Sequence, residues 1–180
     1  MTDRGIVVVG AGIVGASLAY HLAGHGRSVT LIDAGLPGSG ATRASFAWIG
    51  RPAVSDVPSA PLRYQVRQLD DGTVLAPMAY AGETDQAALL GTARRVRDRF
   101  AASFAGAGGT KIVSGEIGWR PMPADGEPVI GRPAGTRGLY ITVMHSAITL
   151  AAAAGRLAAS EILTGSPAPE LAGCRPDRFR

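Results

Sequence analysis

The sequence predicts an α/β fold, and three observations predict it. An apolar β-branched run, Ile6–Val9, leads into glycines at positions 10, 12 and 15. An alanine-rich stretch of helical character follows. A second apolar run, Val29–Ile32, then ends on Asp33. Strand, glycine turn, helix and strand form one βαβ unit, and an acid after the second strand completes a Rossmann-like dinucleotide cradle. Gly10 lets the chain turn off the strand, Gly12 lets backbone approach a pyrophosphate, and Gly15 lets the helix sit close to the sheet. The helix N-terminus offers free N–H groups and partial positive charge to phosphates. Asp33 can accept hydrogen bonds from ribose hydroxyls.

Bulk composition narrows the rest. The 180 residues suit one domain, or one and a fraction. The net charge is +4, from 18 basic and 14 acidic residues, and Lys111 is the sole lysine. The basic residues are scattered and lack interleaved aromatics, so nothing marks a nucleic-acid-binding surface. Cys174 is the single cysteine. An intramolecular disulfide is therefore excluded, which fits a reducing cytoplasm. Nothing beside that thiol supplies both a base and an orienting group, so it reads as incidental. Residues 6–24 are nearly uncharged and about long enough for a membrane span or signal segment, with Arg4 before them. The three spaced glycines, His21 and the strand ending on Asp33 favour the βαβ reading, without a membrane partner.

The remaining elements follow in order. Residues 34–50 read as a Gly/Ser loop leading into a short helix. Pro52, Pro58 and Pro61 make residues 51–61 a connector. Residues 62–77 read as a hairpin turning at Asp70, Asp71 and Gly72, with one wet face. Residues 83–104 carry Ala87, Leu90, Ala93, Val96 and Phe100 at helical spacing, with arginines largely on the polar side. Residues 111–119 are expected to form a strand, 120–131 a Pro/Gly-rich loop, 138–143 a strand and 144–147 a turn. Residues 148–163 form an alanine-rich helix stopped by Gly165 and Pro167, and a loose tail follows from residue 169. The sequence has no internal repeats.

Three further groups could carry chemistry. Ser39, Gly40, Thr42, Arg43 and Ser45 can wrap a pyrophosphate or simply form a solvated loop. Arg120, between Trp119 and Pro121, could clamp a carboxylate with two parallel hydrogen bonds, or pair at the surface with Asp125 or Glu127. His145 precedes a second helix N-terminus, where it could carry a proton or act as a cap. His21 and His25 read as surface or packing residues. No metal-ligand cluster stands out.

Taken together, VVVGAGIVGASLAYHLA, GATRASFAWI, GWRPMPADGEPVIGR and GLYITVMHSAITLAAAAGRLAASEIL resemble the FAD-dependent D-amino acid oxidase / glycine oxidase superfamily. The matches run in the family's order along the chain. The resemblance implies FAD, with its ADP half on Gly10, Gly12, Ile13, Val14, Gly15, Asp33 and Ala34. Thr42, Arg43 and Ser45 fall in the loop around the diphosphate. Arg120 matches the arginine for the substrate carboxylate. His145, Ser146, Ala147, Ile148 and Thr149 match the turn beside the flavin pyrimidine ring, where N–H groups and the helix dipole stabilise negative charge. The implied reaction is oxidation of the Cα–N bond of an amino acid or small amine, with hydride transfer to flavin.

Two departures from the family pattern matter. Ala147 stands where the family turn usually has glycine, which costs something if that position needs positive φ. The family's chains are also about twice as long. The implied architecture is an α/β, GxGxxG FAD-binding domain built from both chain ends, residues 1–50 and 128–168. Residues 62–127 would be a reduced substrate-type lobe, and 169–180 a tail. A non-catalytic flavin-binding module, or a subunit completed by another chain, is the rival expectation, and pairing between copies stays open. A short NAD-dependent dehydrogenase fits less well, because no Tyr-x-x-x-Lys pair is present.

Overall fold

The computed structural model describes residues 5–47, 66–78 and 82–180. The chain divides into two compact units, residues 1–50 with 118–180, and residues 51–117. The expected connector at 51–61 lies outside the described residues, as do residues 62–65 of the expected hairpin.

The first unit begins with the βαβ element. Strand β1 (Ile6–Val9) pairs in parallel with β2 (Val29–Ile32), with Ile6 opposite Val29 and Val9 opposite Ile32. Helix α1 (Ile13–Gly24) connects them. Its start is set by Gly12, which is extended at φ −73 and ψ 179, and Gly26 at φ 75 turns the chain back after it. Side chains alternate along a strand. Val8 and Ile6 therefore share the face that joins the core with Leu18 and Leu22 of α1, whereas Val7 and Val9 face the other way, 60% and 79% exposed. The register puts Thr30 and Ile32 on that same bare face. Parallel strands are ordinarily covered on both faces, so this pair has only half the usual cover.

Strands β5 (Val129–Gly131) and β6 (Ile141–Val143) form an antiparallel pair. Helix α3 (Ala147–Thr164) follows and ends at Gly165, whose left-handed backbone (φ 74) lets its N–H reach Glu161 O. By length and composition α3 could cross a membrane. Its buried face, however, is Ala151, Ala154, Gly155, Ala158 and Ala159, a stripe of small residues packed against α1. The approach is close: a Cβ on Gly155 would lie 2.3 Å from Ser17 Oγ. Ser17 Oγ also donates to Ala151 O at 2.8 Å. Leu22, Ile130, Met144 and Leu171 complete this core, and full burial of each such side chain contributes roughly 1.5–3 kcal/mol.

The tail is not loose. Residues Pro169–Cys174 and Pro176–Phe179 form two short 3-10 helices, and Leu171 is buried in the core. The tail is held because Glu161, itself buried, accepts Arg175 Nη1 at 2.9 Å, Arg175 Nη2 at 2.6 Å, the Ala168 amide at 2.5 Å and Tyr140 OH at 2.6 Å. Four donors on one carboxylate outweigh the cost of burying its charge.

The second unit contains a minimal hairpin, β3 (Arg67–Gln68) against β4 (Val74–Leu75), turning through Gly72 at φ 82. Its helix α2 (Gln86–Ser103) is capped by Asp85, whose side chain accepts the Ala88 amide at 2.8 Å. One expected element does not form. Residues 111–119 lie outside any strand, because no neighbouring segment among the described residues supplies a ladder, and Val113 is 84% exposed. Described residues 34–47 make turns and bends, and residues 48–50 of the segment expected to lead into a short helix lie outside the described residues. Gly35, Gly38 and Gly40 there weaken any helical run.

Candidate functional site

The glycine turn between β1 and α1 is tight. Gly10 has φ +100, a conformation that side chains rarely adopt, and its amide donates to Ile32 O at 2.7 Å. A Cβ on Gly15 would lie 1.9 Å from Gly10 O, so α1 rests directly on the turn. Ile13 and Val14 form the first helical turn above it, with no acidic residue to oppose an anion.

Asp33 closes the far side of the turn. Its Oδ2 accepts the Ala11 amide at 2.6 Å and its Oδ1 accepts the Gly35 amide at 2.9 Å. The Gly35 and Ala11 bonds, with Ala34, hold its pKa below the usual carboxylate value. A carboxylate has about four acceptor sites, so an ionised Asp33 keeps capacity for hydroxyl donors.

The loop after β2 folds back onto the same turn. Gly38 N donates to Ala11 O at 2.9 Å, and Thr42 Oγ1 accepts the Ile13 amide at 3.0 Å. A Cβ on Gly12 would meet Thr42 Oγ1 at 3.2 Å. Ser45 Oγ accepts the Ala47 amide at 3.0 Å, and Arg43 is exposed. Thr42 thus lies at the N-terminus of α1, in contact with the glycine turn, where an anion would be held.

Gly118 brings the next candidate close. A Cβ there would stand 2.7 Å from Ala44 Cβ. Trp119 and the exposed Arg120 follow at once, so Arg120 starts two residues from the Thr42–Ser45 loop. The carboxylate of Asp125 goes elsewhere. Arg178 Nε donates to its Oδ2 at 2.6 Å and Arg178 Nη2 to its Oδ1 at 3.1 Å. The Arg178 bonds, with help from the Glu127 amide, hold Asp125 at a pKa of about 2 against the opposing effect of desolvation.

At the head of α3, His145 Nδ1 and Ser146 Oγ are hydrogen-bonded at 2.7 Å. Ser146 is the residue before the first helical turn and has φ 55, whereas Ala147 begins the helix itself. The left-handed position therefore falls on Ser146, and alanine at 147 carries no backbone strain. Ile148 and Thr149 lie in the first turn. Ser17 and Ala151 are each the fifth residue of their helix, so both helices begin about 6 Å along their axes from the Ser17–Ala151 bond. The N-termini of α1 and α3 thus start from one crossing.

Sequence reasoning missed the residues that brace this arrangement: Tyr140, Glu161, Arg175 and Arg178. One signal was available. Glu161 is a lone acid beside Ala158, Ala159 and Ile162 on an apolar helix face, which demands a cationic partner. Which arginine answers it could not be read from spacing.

Comparison with known proteins identifies the family. The family model described as FAD dependent oxidoreductase matches residues 5–62 and 50–161. A glycine oxidase from Bacillus licheniformis is 40% identical over 52 residues, which is 29% of this chain and 14% of that protein. The chain thus matches only a small part of that relative's length. The paired matches nonetheless take in most of the sequence, from β1 through the buried acid of α3: this chain belongs to the family of FAD-dependent oxidoreductases that includes the D-amino acid and glycine oxidases.

Proposed function

We propose that this chain oxidises the Cα–N bond of an amino acid or small amine, with FAD held on the unit formed by both chain ends. The observation that carries the reading is the glycine turn between two parallel strands, bonded to Asp33 on one side and to the Thr42 loop on the other. When bound, FAD supplies the hydride acceptor, and the protein's part is to bind, orient and stabilise charge.

The residues divide that work. Gly10, Gly12 and Gly15 shape a backbone turn whose amides, with those of Ile13 and Val14, face a diphosphate. Asp33, with Ala34 beside it, takes the ribose hydroxyls. Thr42 trades its bond to the Ile13 amide for one to a phosphate oxygen, and Arg43 and Ser45 extend the loop along the diphosphate. The head of α3, from Ser146 and Ala147 to Ile148 and Thr149, presents helix N-terminal charge to the flavin ring. Arg120 orients the substrate carboxylate through a planar two-point contact. His145, tied to Ser146, is the one imidazole adjoining this helix start.

A second reading has its own support. The β1–β2 sheet has two strands and one bare face, and the described part of unit two offers a hairpin, α2 and one 3-10 turn at Ala107–Gly109. A flavin-binding module without turnover, or a subunit completed by a partner, fits that economy. The purified chain's visible spectrum separates the readings. Flavin bands near ~370 and ~450 nm that bleach anaerobically with a small D-amino acid support the oxidase. Bound flavin that never bleaches supports the module, and a colourless chain that takes up no added FAD overturns both.

A further inference from the structure

The C-terminal tail ends in a clamp on the segment that follows Arg120. Arg178 holds Asp125 through two parallel bonds, at 2.6 and 3.1 Å. Its Nη2 also donates to Glu127 O at 2.9 Å, and its Nη1 to Arg175 O at 3.1 Å. One guanidinium therefore grips a side chain and a carbonyl of the 125–127 turn while tied to its own 3-10 helix. That turn is self-bonded: Gly126 N donates to Pro123 O at 2.9 Å, and Glu127 N to Asp125 Oδ1 at 3.1 Å. The tail itself is fixed to α3, because Arg175 is paired with the buried Glu161.

Arg120 stands between two such anchors. On one side, Gly118 packs against Ala44 of the loop that caps α1. On the other, Pro121 and Pro123 stiffen the few residues leading to Asp125. An exposed arginine on a free loop would sample many directions. Here its backbone is held at both ends, and the second hold comes from Arg178, 58 positions further along the chain.

We propose that Arg178 is a positioning residue: acting through Asp125, it sets the direction of Arg120 so that its guanidinium meets a substrate carboxylate on the FAD-binding unit. The proposal rests on the reading of Arg120 as the carboxylate clamp. Bidentate recognition tolerates little misplacement, because both bonds need the same plane.

The test uses the full chain saturated with FAD and acetate as the carboxylate probe, followed by the shift of the flavin absorbance. FAD affinity is measured separately by flavin fluorescence. Arg178→Gln and Asp125→Asn are each expected to weaken acetate binding on the order of tenfold, with FAD affinity unchanged. The double variant should be no worse than either single one, and the exchange Arg178→Asp with Asp125→Arg should recover binding. Arg120→Gln serves as the reference. If Arg120→Gln abolishes acetate binding while Arg178→Gln leaves it intact, positioning by Arg178 is overturned and the clamp reading stands. If Arg120→Gln has no effect, the clamp reading fails and the proposal falls with it. If Arg178→Gln lowers FAD and acetate affinity together, the arginine is a structural brace and the proposal is wrong.

Discussion

Thr42 Oγ1 accepts the Ile13 amide at 3.0 Å, so a residue from the loop after β2 caps the first turn of α1. Gly12, the residue at the helix boundary, has no side chain to do this. Thr42 and Ile13 lie 29 positions apart, which makes the cap a tertiary contact. Thr42→Val keeps the shape and removes the acceptor. It is expected to cost about 1 kcal/mol of stability, read as a lower urea midpoint, while Thr42→Ser retains most of it.

Gly10 and Gly15 are glycines for different reasons, and alanine should tell them apart. Gly10 has open space for a Cβ but φ +100. Gly10→Ala should cost roughly 1–2 kcal/mol of backbone strain and leave a cooperative fold. At Gly15 the new Cβ would lie 1.9 Å from a carbonyl oxygen. Gly15→Ala must push α1 off the turn, at roughly 3 kcal/mol or more. Thermal unfolding followed by circular dichroism measures both, and equal losses would contradict this assignment.

The α1–α3 crossing depends on a missing side chain at residue 155. A Cβ there would meet Ser17 Oγ at 2.3 Å and Ser17 backbone carbon at 2.9 Å. Gly155→Val is expected to destabilise by roughly 2–3 kcal/mol and to weaken FAD affinity, because it separates the two helix N-termini. Substituting Arg156, exposed on the same helix, with alanine should change neither quantity.

The Glu161 cluster gives the first unit a distinct acid sensitivity. Burial favours the neutral acid, but the bonds from Arg175, Tyr140 and the Ala168 amide prevail and hold its pKa at about 2, below the ordinary 4.5. A depressed pKa stabilises the fold at pH values above the unfolded-state pKa. That contribution fades as pH falls from about 4.5 toward 2. Glu161→Gln should lose stability at pH 7 and show a shallower decline over that window than the wild-type chain. Urea titrations at stepped pH values test the difference in slope.

Burial and chemistry made some residues readable from sequence and left others hidden. The βαβ unit was legible because each part is specified locally: β-branched residues for strands, glycine for the turn, an acid at the strand end. Helix α2 was legible from periodicity, and α3 from its alanine-rich run and the stop at Gly165 and Pro167. Residues 111–119 failed because a strand is a relation between two chains, and apolar alternation cannot supply the missing neighbour. The tail failed for the converse reason. Its polar residues looked solvated, yet Arg175 and Arg178 meet Glu161 and Asp125 across 14 and 53 positions. At the site, the positive φ at Ser146 instead of Ala147 could not be read from a one-residue change in a motif. The pairing of Thr42 with Ile13 was within reach of the sequence only as loop chemistry.

The bond between Ser17 and Ala151 joins residues 134 positions apart. As the chain leaves the ribosome, α1 is made 134 positions ahead of the residue it bonds on α3. Until α3 arrives, Leu18 and Leu22 lack the helix face of Ala154, Ala158 and Ala159 that completes their core. Contacts of such long range slow folding, since loop closure must precede their reward. The α1–α3 core is thus completed only once α3 has been made, and the βαβ unit is the part most in need of protection until then.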